Sequence, residues 1–170
     1  MSRIAYVNGQ YVPHAEAQVH VEDRGYQFAD GVYEVAAICG GKIIDEDAHL
    51  ARLKRSLGEL RMTMPMADAP FAMVCRETLR RNRVYDGILY IQISRGVSRR
   101  DHPFPENVKR GLVMTARAVD WPVSENDDFG ARVVSVADIR WLRRDVKSIS
   151  LLPNVLAKQE AREKDAYEAW

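Results

Sequence analysis

Near residue 45 the apolar spacing of this chain changes period, which excludes an all-helical or an all-β fold. Before that point Ile4 to Val7 and Gln10 to Val12 flank Asn8-Gly9, a pair whose tolerance of positive φ predicts a two-residue hairpin. Residues 31–39 (GVYEVAAIC) are rich in β-branched and aromatic side chains, and Gly40-Gly41 turns them into Lys42-Ile43-Ile44, a second hairpin. From Asp45 onward Leu50, Leu53, Leu57 and Leu60 recur at 3-4-3 spacing, which predicts an amphipathic helix with Asp45 or Asp47 as its N-cap. Asp68 and Pro70 open a second helix with Phe71, Val74, Cys75 and Leu79 on its apolar side and Asn82 near its end. Residues 87–94 and 112–118 read as buried strands joined by a polar loop over 95–110. Residues 1–119 are therefore expected to form one α+β domain.

Trp121-Pro122 and the acidic run Glu125-Asn126-Asp127-Asp128 predict a linker over 120–130, because proline stops regular structure and clustered acids stay solvated. Beyond it come a strand at 131–136, an irregular stretch at 138–150 and a helix from Pro153 to the end. One strand and one helix cannot bury their own apolar faces, so residues 131–170 are expected to be the opening of a domain that is cut short.

Composition narrows the function. Of 170 residues 46% are hydrophobic and 29% charged, a balance suited to a soluble globular chain. With 25 basic against 24 acidic side chains the net charge is +1, which excludes a broadly basic nucleic-acid binder. Cys39 and Cys75 form no CxxC pair, predicting buried free thiols, and His14, His20, His49 and His102 have no metal-ligand spacing. With no apolar stretch near the ~18 residues a spanning helix needs, and no export signal at the N-terminus, the cytoplasm is the expected compartment.

No GxSxG, HExxH, GxGxxG or P-loop pattern is present. The loop Arg95-Gly96-Val97-Ser98-Arg99-Arg100-Asp101-His102 offers planar guanidinium donors beside an imidazole, suited to capture of a carboxylate or phosphate. A plain solvated basic loop has the same composition. Lys147 sits among Val146, Ile149, Leu151 and Leu152, and an amine desolvated there, or near Arg140, Arg143 and Arg144, becomes a nucleophile for a carbonyl. Most such lysines snorkel to solvent instead. Tyr33 on a strand and Arg52 on the polar side of the first helix read as a sheet aromatic and a surface charge, and Asp30-Gly31 reads first as a turn.

Three segments then carry a resemblance: Asp23 to Val35 (DRGYQFADGVYEV), Phe104-Pro105-Glu106-Asn107, and Asp138 to Ser148 (DIRWLRRDVKS). In order and spacing they resemble the fold-type IV, or class IV, pyridoxal-phosphate aminotransferases, and within them the D-amino-acid aminotransferases, over essentially the whole chain. The resemblance implies an α/β fold, with an α+β N-terminal domain followed by the start of a larger β-rich cofactor domain. It implies that Lys147 forms a Schiff base with pyridoxal 5'-phosphate and then shuttles a proton between the substrate α-carbon and the cofactor C4′. By the same resemblance Arg52 binds the cofactor phosphate, Tyr33 lies beside cofactor and substrate, and Arg140 helps organise the cofactor site. Arg100 and His102, with Tyr33, match the trap for the substrate α-carboxylate. In that subfamily the loop reaches in from a neighbouring subunit, which implies a homodimer with shared active sites.

The expected reaction is transfer of the amino group of a D-amino acid such as D-alanine to 2-oxoglutarate. The family's chain continues beyond Trp170, where its members carry the glutamate that holds the pyridine nitrogen and the turns that bind phosphate. Three rival readings remain: an inactive N-terminal fragment that only folds and dimerises, a relative of the branched-chain L-aminotransferases or aminodeoxychorismate lyases, and nucleic-acid binding through Arg80-Arg81-Asn82-Arg83 and the arginine loop. The near-zero net charge disfavours the last.

Overall fold

Asn8 and Gly9 take positive φ (50° and 104°), so β1 (Ile4–Val7) folds directly back onto β2 (Gln10–Pro13) with Val7 opposite Gln10. The computed structural model describes residues 3–121 and 130–170. After a short helix α1 (Arg24–Phe28), β3 (Gly31–Cys39) turns through Gly40-Gly41 into β4 (Lys42–Ile43). The leucine stripe forms α2 (Glu46–Glu59), and α3 (Asp68–Asn82), β5 (Gly87–Ser94) and β6 (Gly111–Ala118) follow. The strands make one antiparallel sheet of order β2-β1-β6-β5-β3-β4.

Alternation along the strands divides the sheet into two faces. Val32, Ala36 and Ile38 of β3, with Leu89, Ile91 and Ile93 of β5, are buried with Leu53 and Leu57 of α2 and Phe71, Cys75 and Leu79 of α3. Tyr33, Val35, Tyr90 and Gln92 fall in the other phase and are half-buried. Asn82, at the end of α3, ties that helix to β1 by accepting from the Ile4 N–H at 2.8 Å and donating to the Ile4 carbonyl at 2.9 Å.

Several local expectations are revised. Asp45 takes the N-cap position of α2 but makes no side-chain cap, whereas α3 opens at Asp68 as expected, with the Asp68 carboxylate paired to Lys54 at 2.6 Å. Cys75 is buried, and burial pushes its thiol up to about 12, whereas Cys39 is exposed. Helix α1 escaped the periodicity reading because five residues cannot display a period; Asp23 caps it by accepting from the Gly25 N–H at 2.8 Å.

The chain divides into two compact units, Met1–Trp121 with Val146–Ile149 and Pro122–Asp145 with Ser150–Trp170. Val146–Ile149, placed by the sequence in the second region, therefore pack with the first. Most of the linker expected over 120–130 lies outside the described residues. In the second unit the strand shrinks to β7 (Val133–Val134), and the helix α4 (Leu152–Glu163) stops well before Trp170. Asp165 takes φ 52°, and the Ala166 and Asp165 N–H groups close back on the carbonyls of Ala161 (2.8 Å) and Arg162 (3.1 Å), a Schellman-type stop without glycine. A short strand β8 (Glu168–Ala169) then pairs parallel with β7.

The loop between β5 and β6 is not wholly solvated. Arg95 is only 2% exposed and Arg24 only 3%. Both point at Asp30: Arg95 donates to its two oxygens at 2.7 and 2.9 Å and Arg24 to one of them at 2.8 Å. Arg95 also donates to the Leu60 carbonyl at 2.9 Å, and Arg24 to the carbonyls of Asp101 (2.5 Å) and His102 (3.2 Å). Asp30 is thus the counter-charge that lets two guanidinium groups be buried where the chain leaves β5. Its turn chemistry is secondary.

Burial pushes the Asp30 carboxyl up, but the hydrogen bonds and charges of Arg95 and Arg24 outweigh it and hold it below the usual carboxylate range. A folded-state value depressed below the unfolded one stabilises at pH above the unfolded pKa, and that contribution is lost as pH falls through the folded value. Urea titrations should therefore show a contribution that is complete above about pH 5 and fades below about pH 4. Asp30→Ala leaves two buried cations without a counter-charge and should lower the unfolding free energy at pH 7 by about 3–5 kcal/mol. Asp30→Asn should flatten the acid limb of the same pH profile.

Candidate active site

The edge of β3 over Gly31 to Tyr33 is left open by β4, which pairs only with Ile38 and Cys39. Unpaired backbone groups in that position need partners. Residues Lys147 to Ile149 supply them: the Tyr33 N–H donates to the Lys147 carbonyl at 3.0 Å, the Ile149 N–H donates to the Gly31 carbonyl at 3.1 Å, and Val32 bridges Ser148 in antiparallel sense. This segment alternates as a strand does, with Val146 and Ser148 buried and Lys147 and Ile149 half-buried. Gly31 permits the approach, since a Cβ there would lie 3.1 Å from the Ile149 side chain and 2.6 Å from the Ile93 carbonyl oxygen. Lys147 stands directly across from Tyr33, and its Nζ lies 4.1 Å from the centre of the Tyr33 ring. Among the described residues the amine has no carboxylate partner. On the other side of Tyr33, Tyr90 stacks at 5.9 Å, and burial pushes the Tyr90 hydroxyl up.

Helix α2 carries a polar row beside its leucines: His49, Arg52 and Ser56, three and four residues apart and so on one face. Ser56 is buried and its Oγ accepts from the Lys147 N–H at 3.3 Å. Arg52 donates to both oxygens of Glu34, from Nε at 2.7 Å and Nη2 at 2.6 Å, and His49 Nδ1 lies 2.8 Å from the same carboxylate. Hydrogen bonding by Glu34 holds the Arg52 guanidinium above its ordinary value, with the Tyr33 hydroxyl contributing in the same direction. Burial pushes Glu34 up, but Arg52 and His49 overcome it and leave the carboxyl below the usual range.

Tyr33, Lys147 and Arg52 are therefore gathered at one edge of one sheet. Arg100 and His102 are gathered elsewhere, against Phe28: the Arg100 guanidinium lies 4.8 Å from the ring centre and the His102 ring 5.6 Å away. Both side chains are exposed, and Arg24 grips the backbone beneath them. Of the basic loop, Arg99, Arg100 and His102 face solvent, whereas Arg95 is committed to Asp30. Arg140 belongs to the second unit, exposed and paired with Asp138 at 2.9 Å, which Arg144 shares. Glu34, which flanks Tyr33 in the sequence, joins the site through Arg52, and Ser56 and Phe28 are further neighbours that the sequence does not single out. Glu34 had a signal, an acid in the otherwise apolar phase Val32, Ala36, Ile38 of a strand; Phe28 had none.

A primary amine on an aromatic face, with a half-exposed guanidinium near the same tyrosine, suits a ligand that presents both a carbonyl and an anion. The family described as amino-transferase class IV matches residues 31–170. D-alanine aminotransferase from Staphylococcus haemolyticus is 39% identical over 165 residues, spanning 96% of this chain and 58% of that protein. The D-alanine aminotransferase of Listeria monocytogenes serotype 4b is 37% identical, over 96% of this chain and 57% of that one. The chain thus spans less than three-fifths of the length of these relatives. Among solved structures, a T.th. branched-chain amino acid aminotransferase with pyridoxamine 5'-phosphate superposes at a TM-score of 0.85 with 22% identity, covering 99% of this chain and 59% of the other. The Escherichia coli branched-chain amino acid aminotransferase superposes at 0.78 with 17% identity, covering 99% and 59%. At those identities they show the fold. The matched residues run from β3, which carries Tyr33 and Glu34, through Lys147 to the last residue, and the chain belongs to the class IV aminotransferases.

Proposed function

We propose that this chain contributes the lysine-bearing part of a D-amino-acid aminotransferase site. The observation that carries the reading is the Lys147 amine lying on the Tyr33 ring, without a carboxylate partner among the described residues, on a strand segment fastened to the helix that bears Arg52. That donor set fits pyridoxal 5'-phosphate: a primary amine for its aldehyde, a guanidinium for its phosphate and an aromatic face beside both. Bound there, the cofactor supplies the electrophilic carbon and the electron-withdrawing ring that acidifies the substrate α-C–H.

The residues divide the work. Lys147 would hold the cofactor through its aldehyde and, as a free amine, would carry a proton between the substrate α-carbon and the cofactor's C4′. Arg52 holds the phosphate, and Tyr33 lies against cofactor and substrate. Arg100 and His102, with Tyr33, hold the substrate α-carboxylate. Their support is mutual proximity on Phe28 and exposure of both donors on one loop. The reading includes a homodimer in which this loop serves the site of a second copy.

Similarity to the D-alanine aminotransferases supports D-alanine as donor. With 2-oxoglutarate as acceptor, the proposed products are pyruvate and D-glutamate. Among the described residues no helix is long and apolar enough to cross a membrane.

Borohydride reduction of the chain after addition of pyridoxal phosphate should leave the cofactor's mass on the peptide containing Lys147, and Lys147→Ala should remove that label together with turnover. Label on a different lysine with wild-type efficiency would overturn the site. D-Alanine should outperform L-leucine as amino donor; the reverse preference would move the reading to the branched-chain relatives. Arg100→Ala should raise the KM for D-alanine about tenfold to a hundredfold, the range for a lost charged hydrogen bond, while the yield of Lys147 label stays unchanged.

A further inference from the structure

Glu34 stands where packing alone calls for an apolar residue. It occupies the helix-facing phase of β3 with Val32, Ala36 and Ile38, and it is 1% exposed. A carboxylate buried there is costly unless its oxygens are fully hydrogen-bonded. Glu34 meets that condition with three donors from α2, two from Arg52 and one from His49. All three come from side chains one turn apart, so the arrangement fixes α2 against β3 and fixes the plane of the Arg52 guanidinium.

The geometry of the fork gives this a consequence. A guanidinium presents its donors in a rigid plane, so engaging Nε and Nη2 sets the direction of the remaining Nη1 edge. The Arg52 side chain stays 43% exposed while its partner is buried, so the pair has an inner, locked edge and an outer, accessible one. Without Glu34, Arg52 is a long side chain with several rotamers, and ordering it on an anion costs entropy at each binding event.

We propose that Glu34 is a positioning residue for anion recognition: by clamping Nε and Nη2 of Arg52, with His49 as the second support, it presets the guanidinium edge that receives the cofactor's phosphate. The inference rests on the reading that Arg52 binds that phosphate. It concerns phosphate selectivity and leaves aldehyde capture at Lys147 to the β3 edge.

The test compares dissociation constants for pyridoxal phosphate and for pyridoxal, which lacks the phosphate, in the wild-type chain and in Arg52→Ala, Arg52→Lys and Glu34→Gln. The wild type should prefer the phosphorylated compound strongly, and Arg52→Ala should abolish the preference. Glu34→Gln should reduce the preference at least about tenfold while changing pyridoxal affinity by no more than about twofold. Arg52→Lys keeps the charge and loses the fork, so it should reduce the preference to a similar extent and reads the same point should Glu34→Gln fail to fold. Glu34→Gln or Arg52→Lys with a wild-type ratio overturns the inference, as does a Glu34→Gln that weakens both compounds in equal proportion, the mark of a merely structural role. A wild-type chain without phosphate preference, or an Arg52→Ala that keeps it, overturns the reading of Arg52 itself, and the inference with it. Label on Lys147 separates that failure from a failure of the whole site.

Discussion

The open edge of β3 is the constraint on which this site depends. Between Gly31 and Tyr33 the strand has β5 on one side and nothing from β4 on the other. Backbone donors and acceptors buried without partners are costly, so some segment must close that edge. The segment that does so lies more than a hundred residues further along, and its register puts Lys147 opposite Tyr33 and Val146 and Ser148 into the core phase. A shift of one residue would send the amine into the helix-facing core and bring Val146 or Ser148 to the tyrosine. Placement of the Lys147 amine is thus a by-product of satisfying a sheet edge.

Two carboxylates, Glu34 buried and Asp30 half-buried, organise the cations around that edge in different ways. Asp30 faces two guanidinium groups that are themselves almost wholly buried, so the cluster is turned inward and its role is to seat the loop carrying Arg100 and His102. Glu34 faces one guanidinium that is largely accessible, so its pair is turned outward. Position in the fold makes the difference. Asp30 lies where the β5–β6 loop leaves the sheet, and Glu34 lies beneath the helix that borders the site.

Particular residues show how much was legible beforehand. The Asn8-Gly9 turn, the leucine stripe and the alternating strands all follow from local physics, because turn conformations and burial periods are written over a few neighbouring residues. The cluster of arginines and a histidine in the β5–β6 loop could be picked out from composition alone. The burial of Arg95 could not, since nothing local distinguishes an arginine that meets Asp30, 65 positions away, from one that meets water. Cys39 is exposed rather than buried because it ends its strand at the turn. The second unit shows the converse: Asp165 stops α4 in a left-handed conformation that glycine or asparagine would have advertised.

By itself the sequence determined the kinds of element, their order and the family, because hydrophobic period, turn chemistry and motif spacing are one-dimensional properties. Tertiary structure alone decided that Lys147 meets the Tyr33 ring, that Arg52 is clamped by Glu34, and that Asp30 holds Arg24 and Arg95. Each of these is a pairing between segments far apart in the chain. The free energy of such a pairing comes from desolvation and hydrogen-bond geometry that exist only once the sheet edge and the helix face have come together.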